Sequence, residues 1–134
     1  MSNTTYTLKN LRVLLVDDEE LLLQLIAADL ESHGAVVELA ESLKEAMEIL
    51  ASHDFDFIIS DLRMPGGSGI DLLSEVKTTR HKNVPFLFMT GNTDQPAAAL
   101  QAEGAIGVLY KPFAFEDLVK ILETNVPGKP TKLS

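Results

Sequence analysis

Five short, nearly unbroken apolar runs separated by helix-like stretches limit what this chain can fold into. The runs are Val13-Leu14-Leu15-Val16, Ala35-Val36-Val37-Glu38-Leu39, Phe57-Ile58-Ile59-Ser60, Val84-Pro85-Phe86-Leu87-Phe88-Met89 and residues 105–110. They are short enough to be strands, and continuous apolar character marks strands buried on both faces. The stretches between them carry helix signals. Residues 19–33 read as a helix closed by Gly34 in the left-handed position. Its stripe of Leu22, Ile26 and Leu30 faces the sheet, with Leu21 and Leu25 half exposed at its edge. Ser42 caps a second helix, with Glu45 at capping-box spacing and Ala46, Ile49 and Leu50 turned inward. Ser68 starts a third helix carrying Ile70, Leu73 and Val76. A short alanine-rich helix runs from Pro96 to about Ala102, and a last one from Phe115 to about Asn125. Alternating strands and helices predict an α/β fold, a doubly wound parallel sheet covered on both faces.

In such sheets, ligands bind outside the carboxyl ends of the strands. Chemistry-bearing residues gather at those ends here. Asp17 and Asp18 leave the first run, Asp61 leaves the third, Thr90 the fourth and Lys111 the fifth. Three carboxylates at neighbouring strand ends repel one another unless a cation lies among them, and an all-oxygen cluster suits Mg²⁺. With a hydroxyl and an ammonium added, the set can hold a phosphoryl group. Each residue alone has a plainer reading. Asp61 can be a turn residue before Pro65-Gly66-Gly67, Asp17-Asp18 a helix cap, Thr90 the start of a turn, and Lys111 a solvated side chain. Their joint occurrence at strand ends favours a site.

The ordered set Asp17-Asp18, Asp61 with Met64-Pro65 and Gly69, Thr90-Gly91 and Lys111-Pro112 resembles the receiver domain of two-component response regulators, from about Leu11 to Asn125. The resemblance implies a flavodoxin-like (βα)5 sheet with strand order 2-1-3-4-5. It implies that Asp61 is the phosphoacceptor, served by Lys111 and Thr90. Mg²⁺ would be held by Asp18, Asp61 and the backbone carbonyl of Arg63, with Asp17 acting through a water. The phosphoryl donor would be a sensor histidine kinase or histidine phosphotransfer protein, and the output a downstream protein target. The domain is expected to act as a monomer or a phosphorylation-dependent dimer, not as an enzyme. One position departs from the family pattern. The residue three before the lysine, usually a switching aromatic, is Val108, and the aromatic Tyr110 is offset by two.

Composition agrees with this reading. At 134 residues one domain is expected, divided as an extension over 1–10, the domain over 11–125 and a tail over 126–134. No apolar run approaches the roughly 18 residues of a membrane span. No signal peptide is evident, Met1 reads as a natural start, and a cytoplasmic location is expected. The absence of cysteine removes disulfides and zinc–thiolate sites. A net charge of -9 disfavours direct nucleic-acid binding. His33, His53 and His81 have no companions at ligand spacing and are expected at the surface. Two other classes share some features. A Mg²⁺-dependent phosphatase with an aspartyl nucleophile would place that nucleophile and a second acid after the first strand. A flavin carrier would want a phosphate-cradling loop where Asp17-Asp18-Glu19-Glu20 stands.

Overall fold

The computed structural model describes residues 7–64, 66–91 and 96–125. Strands β1 (Arg12–Val16), β2 (Val36–Ala40), β3 (Phe57–Asp61), β6 (Phe86–Thr90) and β7 (Gly107–Tyr110) form one parallel sheet in the order β2-β1-β3-β6-β7. The remaining strands, β4 (Arg63–Met64) and β5 (Gly67–Ser68), make a separate antiparallel ribbon just after β3. With that ribbon set aside, the order is 2-1-3-4-5, as expected. The helices are α1 (Glu20–Ser32), α2 (Leu43–Ser52), α3 (Gly69–Val76), α4 (Ala97–Ala102) and α5 (Phe115–Thr124).

Strand alternation divides the core in two. Val13 and Leu15 of β1 join Phe57 and Ile59 of β3 against α1 and α5. Leu14, Val16 and Ile58 point the other way, with Phe86 and Phe88, against α2, α3 and α4. Each such buried side chain is worth about 1.5–3 kcal/mol. Both faces being covered explains why the strand runs are apolar throughout. Leu8, ahead of β1, is also buried among the α1–α5 residues.

Several details depart from the sequence expectations. On α1 the fully covered positions are Leu23, Ile26, Ala27 and Leu30, while Leu22 is only partly buried. Leu22 and Leu23 flank the same arc, and packing against β1 and α5 selects Leu23. On α3, Leu72 is enclosed and Ile70 only partly so. A complete capping box, unexpected from sequence, joins Ser68 and Asp71 at the start of α3. At α2, Ser42 Oγ accepts the Glu45 N–H, but the Glu45 carboxylate accepts from the N–H of Glu41, one residue too early to close a box.

His81 is not a surface residue; it is 2% exposed. Its ring packs near Phe55, and its Nε2 lies 3.1 Å from the His53 carbonyl oxygen. Burial, with the Arg80 charge beside it, holds its pKa below the ordinary imidazole value. Spacing could not reveal this, because the loops preceding β3 and β6 create the enclosure. Among the described residues, no helix is long and apolar enough to cross a membrane.

Candidate functional site

The sheet order runs outward in both directions from between β1 and β3, the switch point at whose carboxyl ends such sheets bind ligands. Asp17, directly after β1, is fully buried, and its Oδ1 accepts the Glu19 N–H at 3.0 Å. Asp18 is exposed beside it. Asp61 closes β3; its Oδ1 accepts the Leu62 N–H at 2.8 Å and its Oδ2 is turned toward Lys111. Asp17, Asp18 and Asp61 each offer an oxygen within 4.8 Å of the others. The structure thus brings together the three acids singled out by sequence.

Lys111 follows β7, fixed there by its backbone N–H, which donates to the Thr90 carbonyl at 2.8 Å. The Lys111–Pro112 peptide is cis. The ammonium reaches over the acids: Nζ donates to Asp17 Oδ2 at 2.8 Å, Glu19 Oε1 at 3.2 Å and Asp61 Oδ2 at 3.4 Å. The resemblance implies an Asp61 partner for this lysine, whereas Asp17 holds it closest. Glu19, which sequence reading places at the start of a helix and in the acidic run after the first strand but not among the site residues, joins the cluster. Thr90, buried at the end of β6, lies one residue beyond Met89, the register partner of Asp61. Arg63 is exposed in the ribbon, paired with Ser68.

The electrostatics follow from the count of charges. One ammonium serves three carboxylates within hydrogen-bond reach, with Asp18 adjacent. Burial pushes the Asp17 carboxyl up, against the opposing pull of the Lys111 and Glu19 hydrogen bonds. For Lys111, burial pulls downward, but its bond to Asp17 and the charges of Asp17 and Asp61 outweigh that, so its pKa rises. The lysine is firmly charged, and the acids keep an excess of negative charge. An oxygen-only, over-charged cluster of this kind fits a hard divalent cation such as Mg²⁺.

Beside the cluster runs an apolar groove of about 690 Å³ between the start of α1 and the segment after β7. Leu21, Leu22, Leu25, Pro112, Phe113 and Phe115 line it, with Glu19 and Lys111 at the end nearest the acids. Leu21 is 70% exposed and Leu25 50%, more than the half-exposed edge expected for Leu21.

The sequence model of the response regulator receiver domain matches residues 13–123. The chain is 35% identical over 115 residues to the DNA-binding transcriptional regulator NtrC of Escherichia coli (strain K12), covering 85% of this chain and 24% of that protein. It is 34% identical over 110 residues to the two-component response regulator PhoP of Pseudomonas aeruginosa, covering 81% of this chain and 48% of PhoP. The chain therefore spans about a quarter to a half of the length of these curated relatives. Among solved structures, it is similar to chemotaxis response regulator CheY4 of Vibrio cholerae, with TM-score 0.79, 34% identity, and 87% and 98% of the two chains covered. It is also similar to response regulator TrrA of Thermotoga maritima in complex with Mg²⁺-BeF, with TM-score 0.77, 27% identity, and 85% and 97% covered.

Proposed function

The chain belongs to the response regulator receiver domain family, and from that membership we propose that Asp61 is the residue that accepts the phosphoryl group. The observation that carries this assignment is the setting of the Asp61 carboxylate. It stands at the end of the central strand β3, with one oxygen held by the Leu62 N–H and the other turned to Lys111. Asp17 is buried and bonded to both Lys111 and Glu19, which leaves it a supporting role.

In the proposed reaction, an Asp61 oxygen attacks the phosphorus and forms an aspartyl phosphate as the bond to the donor breaks. Lys111 pairs with a phosphoryl oxygen as Asp61 loses its own negative charge. The Thr90 hydroxyl donates to another, with backbone N–H groups after β3 completing the set. Mg²⁺ would be held by Asp18, Asp61 and the Arg63 carbonyl, with Asp17 through a water. When bound it neutralises charge on the transferring group.

The donor is a sensor histidine kinase or histidine phosphotransfer protein in the cytoplasm. Its helices would lie in the groove lined by Leu21, Leu25 and Phe113, which opens directly onto the acids. The output is a downstream protein contact, made by residues 11–125 as a monomer or a phosphorylation-dependent dimer. The aspartyl phosphate is a signal to be read by a partner, and this distinguishes the chain from a phosphatase that turns substrate over. Incubation with Mg²⁺ and acetyl phosphate tests the assignment. Intact mass should gain one phosphoryl group, lost without Mg²⁺ and in Asp61→Asn. An unchanged gain in that variant would sink it.

A further inference from the structure

Glu19 is unusual among the residues around Lys111, because neither metal binding nor phosphoryl transfer as described above uses its side chain. It is the residue preceding α1, and its two ends act on the site differently. Its backbone N–H fixes the rotamer of Asp17 through Oδ1, at 3.0 Å. Its Oε1 lies 3.2 Å from Lys111 Nζ, nearer than Asp61 Oδ2 at 3.4 Å. The lysine is therefore drawn toward the β1 side of the site by two acids that do not receive the phosphoryl group. Asp17 is buried and cannot move aside. The Glu19 side chain is largely exposed and can swing freely into solvent.

We propose that Glu19 is a positioning residue that restrains Lys111 away from Asp61 in the resting domain and so slows phosphoryl transfer. The inference rests on the assignment of Asp61 as phosphoacceptor. To pair with a phosphoryl oxygen, Lys111 must give up contacts on its resting side, and the Glu19 contact raises the cost of doing so. Because Glu19 also borders the apolar groove, the restraint faces the surface where the donor is placed.

Glu19→Gln keeps the size and the backbone N–H but removes the charge that holds the lysine. Glu20→Gln makes the same change in net charge one residue later, on a side chain whose contact is with Gln24. Both are phosphorylated with acetyl phosphate at saturating Mg²⁺, and intact mass is followed in time over a range of donor concentrations. Donor repulsion by a negative charge would alter the half-saturating concentration, whereas release of Lys111 alters the saturated rate. Glu19→Gln should raise the saturated rate about two- to fivefold, the span an exposed ion pair commonly commands. The half-saturating donor concentration and the melting temperature should stay near those of the wild type, and Glu20→Gln should match the wild type. A saturated rate in Glu19→Gln equal to that of Glu20→Gln, or a change confined to half-saturation, overturns the inference while leaving Asp61 in place. A wild-type chain that takes up no phosphoryl group overturns the site assignment and this inference with it.

Discussion

Gly69 supplies the sharpest mutational test of how the fold positions Asp61. It opens α3 and donates its N–H to the Leu62 carbonyl at 2.8 Å. A Cβ placed there would drive into the backbone carbonyl of Asp61, and would lie 2.9 Å from Phe88 Cε1 and 3.1 Å from Ser60 Oγ. The carbonyl cannot retreat easily, because β3 is paired with β1 on one side and β6 on the other. Overpacking of this kind costs about 1–3 kcal/mol. Alanine returns at most ~1 kcal/mol in helix propensity, less in a first turn, so Gly69→Ala should lose about 1–2 kcal/mol net. At roughly 3–5 °C per kcal/mol for a domain of this size, thermal unfolding followed by circular dichroism should move down by about 3–10 °C. Phosphorylation by acetyl phosphate should slow as well, since the displaced carbonyl belongs to the acceptor residue. Gly91→Ala is the control, because a Cβ there meets nothing within 4 Å. A Gly69→Ala melting temperature equal to or above the wild type would refute the packing argument.

Three further outcomes follow from particular contacts. His81 has its pKa depressed, so its neutral form stabilises the fold. That contribution is complete above the unfolded value near 6.5 and is lost as pH falls through the lower folded value. Melting temperature should therefore drop more steeply on acidification for the wild type than for His81→Leu, and parallel curves would count against it. Leu25→Glu, in the half-exposed wall of the groove, should slow transfer from a partner phosphotransfer protein while sparing acetyl phosphate; equal loss of both would mark a folding role instead. A phosphoryl mimic should change hydrogen exchange chiefly across residues 96–117, with the Tyr110 ring reporting the change. Largest perturbations on α1 and α2, with β7 silent, would contradict this.

The placement of the acids was legible in the sequence because parallel crossovers force every strand to end on the same edge of the sheet. Once five apolar runs are read as parallel strands, Asp17, Asp61, Thr90 and Lys111 must share a neighbourhood. What pattern could not reveal was set by reach and enclosure. Lys111 settles nearest Asp17 because the resting geometry after β7 carries Nζ toward β1, a matter of tenths of an ångström. Glu19 joins because the residue before α1 sits beneath that ammonium. His81 is buried by loops, whose conformations leave no periodic trace. Leu23 and not Leu22 is covered because both lie on one broad arc and tertiary packing chooses between them.

The position three residues before Lys111 shows how register can change a conclusion drawn by counting along the chain. Counting finds Val108 where the family commonly has an aromatic, and finds Tyr110 offset by two. In a strand, an offset of two returns a side chain to the same face of the sheet. The β6–β7 register pairs Phe88 with Val108 and Thr90 with Tyr110. Val108 is partly buried and packs against the cluster that contains Phe88 and Leu100. Tyr110 follows it on that face, one pleat nearer the acids and opposite Thr90. Movement of Thr90 toward a phosphoryl group would therefore open space beside Tyr110, whereas Val108 is held among core side chains. The aromatic is displaced along the strand yet has Thr90 as its register partner, which is why β7 is the element whose response tests the route.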